Sequence, residues 1–143
     1  MTVQSAAIPY RYDAGGDLEI LLVTSRKRRR WVFPKGHVRP GMSAHSSAAK
    51  EAFEECGVIG RIEAKPVANH VQKKRNALED EVCGVTVYPM AVITEAPVWP
   101  EMRQRERRWA TISDALKLVE KKKLRRAIDA FDRTFSLQRP KPP

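Results

Sequence analysis

The chain has 143 residues, a length typical of one globular domain, and its 27 Lys and Arg outnumber its 17 Asp and Glu, giving a formal net charge of +10. Its N-terminal segment has no basic start followed by a long apolar run, so we expect a cytoplasmic protein without a signal peptide or membrane-spanning helix. The charge favours a polyanionic partner, either a phosphate-rich small molecule or a nucleic acid. Two cysteines, Cys56 and Cys83, are too few for a disulfide framework and are expected to be buried thiols.

The first elements in chain order are predicted to be strands. Ala6 to Arg11 and Leu18 to Thr24 are short apolar segments separated by a glycine-containing turn, which is the pattern of a hairpin. The basic run Arg26 to Arg30 is expected in a turn that enters a short aromatic strand, Trp31 to Phe33.

A central helix is predicted from Ser43 to Cys56. Ser43 is a capping residue, and Gly57 is suited to the helix end. Four residues recur at helical spacing and are expected to face the core, with the glutamates directed elsewhere: Ala48, Ala52, Phe53 and Cys56.

More strands and two helices are predicted after this helix. The strands are Val58 to Ile62, Pro66 to Val71 and the long Gly84 to Thr94, with the basic Lys73 to Arg75 in a turn before the last. The helices begin near a capping box at Thr111 and at Leu124, the second ending at Phe135. We expect a single domain over residues 1–137 and a loosely held Pro-rich tail over residues 138–143.

Three glutamates on the central helix carry the candidate chemistry. Glu51, Glu54 and Glu55 fall within an arc of about 100° on its surface. Like charges so placed repel one another, and a hard cation such as Mg²⁺ or Mn²⁺ would relieve that repulsion. The alternative is an acidic stripe that is only exposed to solvent, but the glycines and prolines around the helix favour a metal-binding site.

The segment Gly36 to Val58, GHVRPGMSAHSSAAKEAFEECGV, resembles the Nudix box. In that pattern a glycine is followed by five residues, a glutamate, seven residues, and then Arg-Glu-aliphatic-any-Glu-Glu-any-Gly-aliphatic. This chain matches the first glycine and most of the second half of the pattern, with Met42 in place of the first glutamate and Lys50 in place of the arginine. Lys50 keeps the charge but lacks the planar fork of arginine.

The resemblance implies a Nudix fold, which is an α/β/α sandwich with a mixed central sheet. It also implies a pyrophosphohydrolase in which Glu51, Glu54, Glu55 and the Gly36 carbonyl bind Mg²⁺ or Mn²⁺ and a glutamate accepts the proton of the attacking water. Lys50 belongs to the same catalytic segment. Loop acids supply a ligand or base in some members, and Glu101 is our first choice over Glu95 and Glu106.

The basic segments predict the substrate class. The stretch Thr24 to Gly36 is similar to the diphosphoinositol polyphosphate and diadenosine polyphosphate branch of the Nudix superfamily. Candidate phosphate contacts are Arg26, Lys35, Lys73, Arg75 and Arg107. Nucleoside diphosphate derivatives are also compatible with the box.

Two other functions compete with this prediction. One is a non-hydrolytic Nudix-fold binding module, because Met42 and Lys50 both alter the box. The other is a basic RNA-binding protein, although nucleic-acid motifs are missing from the sequence and its aromatic residues are few. The oligomeric state is expected to be a monomer or a homodimer.

Overall fold

The computed structural model describes residues 2–75 and 80–138, except for the side chains of residues 74, 75, 80, 81 and 138. These residues form a mixed sheet whose main strand order is β3-β2-β1-β7-β5, in which β1 and β7 run parallel. On the edges of this path, β4 pairs with β1, β6 with β7 and β8 with β2. The strands are β1 Thr2–Tyr12, β2 Leu18–Thr24, β3 Trp31–Val32, β4 Lys35–His37, β5 Val58–Ile62, β6 Ala68–Arg75, β7 Asp80–Glu95 and β8 Arg107–Thr111.

Alternating apolar side chains along the strands build two cores, one on each face of the sheet. Along β2, Ile20 and Leu22 point to one face, while Leu21 and Val23 point to the other. Helices α2 (Ile112–Leu118) and α3 (Lys122–Phe135) cover the first face, and α1 (Ala44–Cys56) covers the second. The expected α/β/α sandwich with a mixed sheet is confirmed.

The ends of α1 follow from its capping residues. The Ser43 hydroxyl accepts a hydrogen bond from the Ser46 N–H at 3.2 Å, as expected at a helix start. At the other end, Gly57 has φ 70° and its N–H donates to the Phe53 carbonyl at 2.9 Å. The left-handed conformation suits glycine, so the predicted helix bounds are confirmed.

Three local predictions differ from the structure. The strand expected to begin at Pro66 starts at Ala68 and continues through Lys73 to Arg75, so this basic segment lies in β6 and not in a turn. Phe53 is only half-buried, because α1 packs on the sheet mainly through its small residues. The hairpin of β1 and β2 and the helices over Thr111 and Leu124 agree with the predictions.

Both cysteines are buried free thiols, as expected. Within residues 2–75 and 80–138, the helices are too short or too polar to cross a membrane. The predicted tail lies outside the described residues, apart from Gln138 at the end of a short 3₁₀ turn.

Candidate active site

Helix α1 buries two of its three candidate glutamates. Glu51 is 8 % exposed and Glu55 is 4 % exposed, while Glu54, between them in sequence, is half-buried. The expectation that the carboxylates would lie away from the buried faces of the helix was therefore wrong for Glu51 and Glu55. Buried carboxylates require partners that offset their lost hydration, and the surrounding elements supply these partners.

Strand β4 closes over the glutamates from one side. Gly36 pairs with Ser5 of β1, and a β-carbon on residue 36 would lie 2.5 Å from Oε1 of Glu51. The missing side chain thus allows the Glu51 carboxylate to lie against the backbone. The neighbouring Lys35 N–H donates to Oε2 of Glu55 at 3.3 Å, so β4 contacts both buried carboxylates.

The segment between β4 and α1 places Arg39 between two of the glutamates. Its Nη2 lies 2.9 Å from Oε1 of Glu51 and 2.6 Å from Oε2 of Glu54. The hydrogen bond with Glu51 raises the pKa of the Arg39 guanidinium, with the charge of Glu54 adding to the effect. One guanidinium nitrogen therefore bridges two neighbouring carboxylates of α1 and reduces the repulsion between them.

The loop between β7 and β8 closes the site from the other side. The ring of Trp99 lies flat against Gly57, where a β-carbon would come within 2.5 Å of it, and the Glu101 N–H donates to the Glu54 carbonyl at 3.0 Å. Arg105 Nε lies 2.9 Å from Oε1 of Glu101, and its Nη1 lies 3.6 Å from Oε1 of Glu55. Arg105 therefore joins the loop acid to a helix acid.

The electrostatic environment of Glu55 differs from that of a surface carboxylate. Burial raises the pKa of Glu55 to about 8; the charge of Arg105 opposes this shift, while Glu51 and Glu101 reinforce it. A hydrogen bond between the side chains of Glu51 and Glu55 accompanies the shift. Glu55 therefore holds its proton more tightly than an isolated glutamate does, and a nearby cation would favour its release.

The donor set suits a hard divalent cation, although arginines now occupy the space between the carboxylates. In the part of the chain that the structure describes, no three His, Cys, Asp or Glu side chains stand gathered at metal-binding geometry. Arg39 holds Oε1 of Glu51 and Oε2 of Glu54, a cation already positioned between two acidic oxygens. Carboxylate and backbone oxygens at this density are the ligands that Mg²⁺ and Mn²⁺ prefer.

A cavity of about 450 Å³ lies on the face of the sheet opposite to α1. Its floor is apolar and includes Phe33, Val85 and Leu124. Its basic rim comes from three segments of chain: Lys35 of β4, Lys73 of β6 with His70 and Gln72 beside it, and the run Lys121 to Lys123. Lys35 connects the two regions, because its side chain lines the cavity while its backbone N–H contacts Glu55.

The pKa of His70 reflects the positive charge around this cavity. Its Nδ1 is buried and has no hydrogen-bond partner among the described residues. Burial lowers the pKa of His70, and the charges of Lys35, Lys123 and Lys121 lower it further. The imidazole is therefore neutral near pH 7, and the cavity combines a neutral ring with several ammonium groups.

The other basic candidates lie at different places. Arg26 is exposed and reaches Gln104 at 3.5 Å, beside the loop that carries Glu101. Arg107 donates to the Cys56 carbonyl at 2.7 Å and stacks on Trp99, so structural contacts already engage its guanidinium. Lys50 is exposed on α1, and the Arg75 side chain lies outside the described residues.

Glu101 and Glu106 lie between β7 and β8, whereas Glu95, which was expected on the same loop, is the last residue of β7. Glu101 is tied to α1 through its backbone and to Arg105 through its carboxylate. Glu95 accepts a hydrogen bond from Trp109 Nε1 at 3.1 Å, and Glu106 lies 3.6 Å from Arg29 with 69 % of its side chain exposed. Of these acids, Glu101 has the contacts expected of a residue at the site.

Sequence reasoning missed Arg39 and Arg105. Both stand near candidate site residues in sequence: Arg39 is three residues after Gly36, and Arg105 is four residues after Glu101. Those spacings were a usable signal, but a contact from residue 39 to residue 54 requires the folded path of β4 against α1.

Comparison with known proteins agrees with this architecture. The sequence profile of the NUDIX domain family matches residues 1–131. Nudix hydrolase 12, mitochondrial, from Arabidopsis thaliana is 34% identical over 151 residues, covering 94% of this chain and 74% of that protein. Diphosphoinositol polyphosphate phosphohydrolase 3-beta from Bos taurus is 31% identical over 105 residues, covering 71% of this chain and 60% of that protein.

Solved structures show the same fold. A binary complex of the C. elegans Ap4A hydrolase superimposes with a TM-score of 0.71 at 19% identity, covering 95% of this chain and 98% of that one. The NUDIX domain of Shewanella oneidensis NrtR complexed with ADP ribose gives a TM-score of 0.73 at 15% identity, covering 94% and 88%. Several relatives carry mitochondrial or chloroplastic names, so the cytoplasmic location stays a prediction.

Proposed function

Because the chain belongs to the NUDIX domain family and is a pyrophosphohydrolase of the Nudix type, we propose that it cleaves a diphosphate linkage in a polyphosphorylated small molecule with Mg²⁺ or Mn²⁺ as cofactor. The observation that carries the proposal is the convergence of three elements on the α1 glutamates. Gly36 of β4, Arg39 and the loop acid Glu101 with Arg105 all meet Glu51, Glu54 or Glu55.

The metal ligands in this proposal are the carboxylates of Glu51, Glu54 and Glu55, with the Gly36 carbonyl beside them. A bound divalent cation would offset the charge of the diphosphate and lower the pKa of an attacking water. The tight approach of Gly36 to Glu51 holds that carboxylate in one place, which limits the reorganisation needed for binding.

The proton of the attacking water needs an acceptor near the carboxylates. Glu55 has a pKa of about 8 in the metal-free protein, and Glu101 lies on the other side of Arg105. The acceptor is therefore one carboxylate of the set Glu51, Glu54, Glu55 and Glu101. Arg105 keeps Glu101 oriented towards α1 through the bond at 2.9 Å.

The cavity on the opposite face supports a substrate that has several phosphates. Its lysine rim supplies ammonium donors for phosphate oxygens, and its apolar floor accepts a ring or another flat surface. Lys35 belongs to both the cavity and the glutamate site, and we propose that the substrate extends past this residue, with its diphosphate near α1 and its remaining part in the cavity. Diadenosine polyphosphates, diphosphoinositol polyphosphates and nucleoside diphosphate derivatives all have this division.

The test is a hydrolysis screen with these three substrate classes, carried out with Mg²⁺, with Mn²⁺ and with chelator. Glu54→Gln removes one carboxylate at the site, and Glu63→Gln makes the same change at an exposed position after β5. We expect metal-dependent turnover in the wild type and the Glu63 variant, and a loss of at least about 100-fold in the Glu54 variant.

Three results would contradict the proposal. Turnover that survives chelation would remove the metal from the reaction. Tight binding of a polyphosphate without turnover under any metal would favour the non-hydrolytic binding module, and binding of long RNA that free polyphosphates do not displace would favour the RNA-binding alternative.

A further inference from the structure

Two arginines contact the candidate metal-binding carboxylates, and they are held very differently. Arg105 is 11 % exposed and is fixed by Glu101, Glu55 and the Thr24 carbonyl. Arg39 is 36 % exposed, and the structure shows its side chain held by Glu51 and Glu54. Of the two guanidinium groups, that of Arg39 can therefore leave with the smaller loss of contacts.

The backbone of Arg39 is anchored independently of its side chain. Its N–H donates to the Ser47 hydroxyl at 3.0 Å, within the first turns of α1. The Met42 N–H donates in turn to the Arg39 carbonyl at 3.1 Å. The guanidinium can therefore move on its flexible stem while the segment between β4 and α1 keeps its path.

The position of Nη2 is that of a cation bridging two acidic oxygens. The distances of 2.9 Å to Glu51 and 2.6 Å to Glu54 leave no room for another cation between the same two oxygens. A guanidinium and a divalent ion therefore compete for this pair of carboxylates.

We propose that Arg39 is an internal cation that holds the Glu51–Glu54 pair in the metal-free protein and is displaced by the divalent ion. This inference rests on the proposed function, since it takes the same carboxylates as metal ligands. In the metal-free protein the side chain reduces the repulsion between Glu51 and Glu54, and for the same reason it weakens metal affinity. Once displaced, the guanidinium lies at the edge of the site, within reach of an anionic substrate.

The experiment measures metal binding and metal-free stability in the full chain. Arg39→Gln removes the bridging charge, and Arg133→Gln removes one arginine charge from the exposed side of α3, far from the glutamates. Mn²⁺ affinity, measured by electron paramagnetic resonance of free Mn²⁺, should rise roughly 3- to 10-fold in the Arg39 variant and stay unchanged in the Arg133 variant. The metal-free melting temperature of the Arg39 variant should fall by roughly 3 °C.

Saturating Mn²⁺ should then close or reverse the gap in melting temperature, because the variant gains more from each bound ion. If the Arg39 side chain only fixed the position of the segment between β4 and α1, Arg39→Gln would bind Mn²⁺ more weakly than the wild type or with the same affinity. Either result overturns the proposal. Arg39→Lys, which retains one positive charge, should give a metal affinity between those of the wild type and the Gln variant.

The failures of the two proposals are distinguishable. Mn²⁺ that binds with the expected change in Arg39→Gln, without hydrolysis of any diphosphate, leaves the displacement standing and removes the proposed reaction. If the wild type hydrolyses a diphosphate but the wild type and Arg39→Gln bind Mn²⁺ with equal affinity, the proposed reaction stands and the displacement proposal fails. Absence of Mn²⁺ binding in both proteins removes both proposals.

Discussion

Substitution of Gly36 by alanine tests whether the backbone of β4 sets the position of the Glu51 carboxylate. A β-carbon on residue 36 would lie 2.5 Å from both Cδ and Oε1 of Glu51, whereas ordinary contact begins at 3.4 Å. The carboxylate, which is the far end of a flexible side chain, must therefore retreat by about 1 Å, and its displaced rotamer should cost only about 0.5–1.5 kcal/mol in stability. A displacement of ~1 Å in a catalytic group is sufficient to lower turnover ~100-fold.

The assay compares kcat, Mn²⁺ affinity and the urea midpoint of Gly36→Ala with those of Gly15→Ala. Gly15 lies in the turn between β1 and β2, where an added β-carbon meets Asp13 Oδ1 at an ordinary 3.5 Å. We expect loss of activity and weakened metal binding only in the Gly36 variant. Wild-type turnover and metal affinity in Gly36→Ala would refute the argument that this close approach positions the carboxylate.

Three other predictions concern charge at the site and in the cavity. Folding raises the pKa of Glu55 from its ordinary 4.5 to about 8, so between these pH values the folded state keeps a proton that the unfolded chain has lost. The melting temperature of the metal-free protein should therefore fall as the pH rises from about 5 to 8. A melting temperature that stays constant over this pH range would contradict the prediction. Arg105→Met leaves Glu55 and Glu101 without their buried cationic partner and should lower the free energy of unfolding by about 3 kcal/mol. Urea titrations at pH 8 measure this change, and a decrease below about 1 kcal/mol would show that Arg105 is not needed for stability. Lys73→Gln removes one lysine from the cavity and should raise the KM of a polyphosphate substrate roughly 10-fold with little change in kcat. Lys117→Gln removes the same charge at an exposed position. An equal rise in KM in both variants would show that the enzyme responds only to net charge.

Helix capping and residue spacing, which act between residues close in sequence, predicted much of this architecture. Ser43 and Gly57 bound α1 because a hydroxyl acceptor and a left-handed glycine satisfy the free backbone groups at helix ends. The apolar segments Ala6 to Arg11, Leu18 to Thr24 and Gly84 to Thr94 predicted the strands of a sheet. Helices cover both faces of that sheet because both faces carry apolar residues. The spacing of Glu51, Glu54 and Glu55 predicted three acids on one side of the helix, since that depends only on helical geometry.

The sequence by itself thus determined the helix bounds, the main strands and the acidic segment of this protein. Only the tertiary structure decided that Glu51 and Glu55 are buried, that Arg39 and Arg105 neutralise them, and that Lys35 joins the glutamate site to a cavity on the other face. The reason is that capping and periodicity act between residues a few positions apart, whereas burial and charge pairing depend on which segments the fold brings together. Arg105 and Glu55 are fifty positions apart in the chain and meet only because the loop after β7 closes on the end of α1.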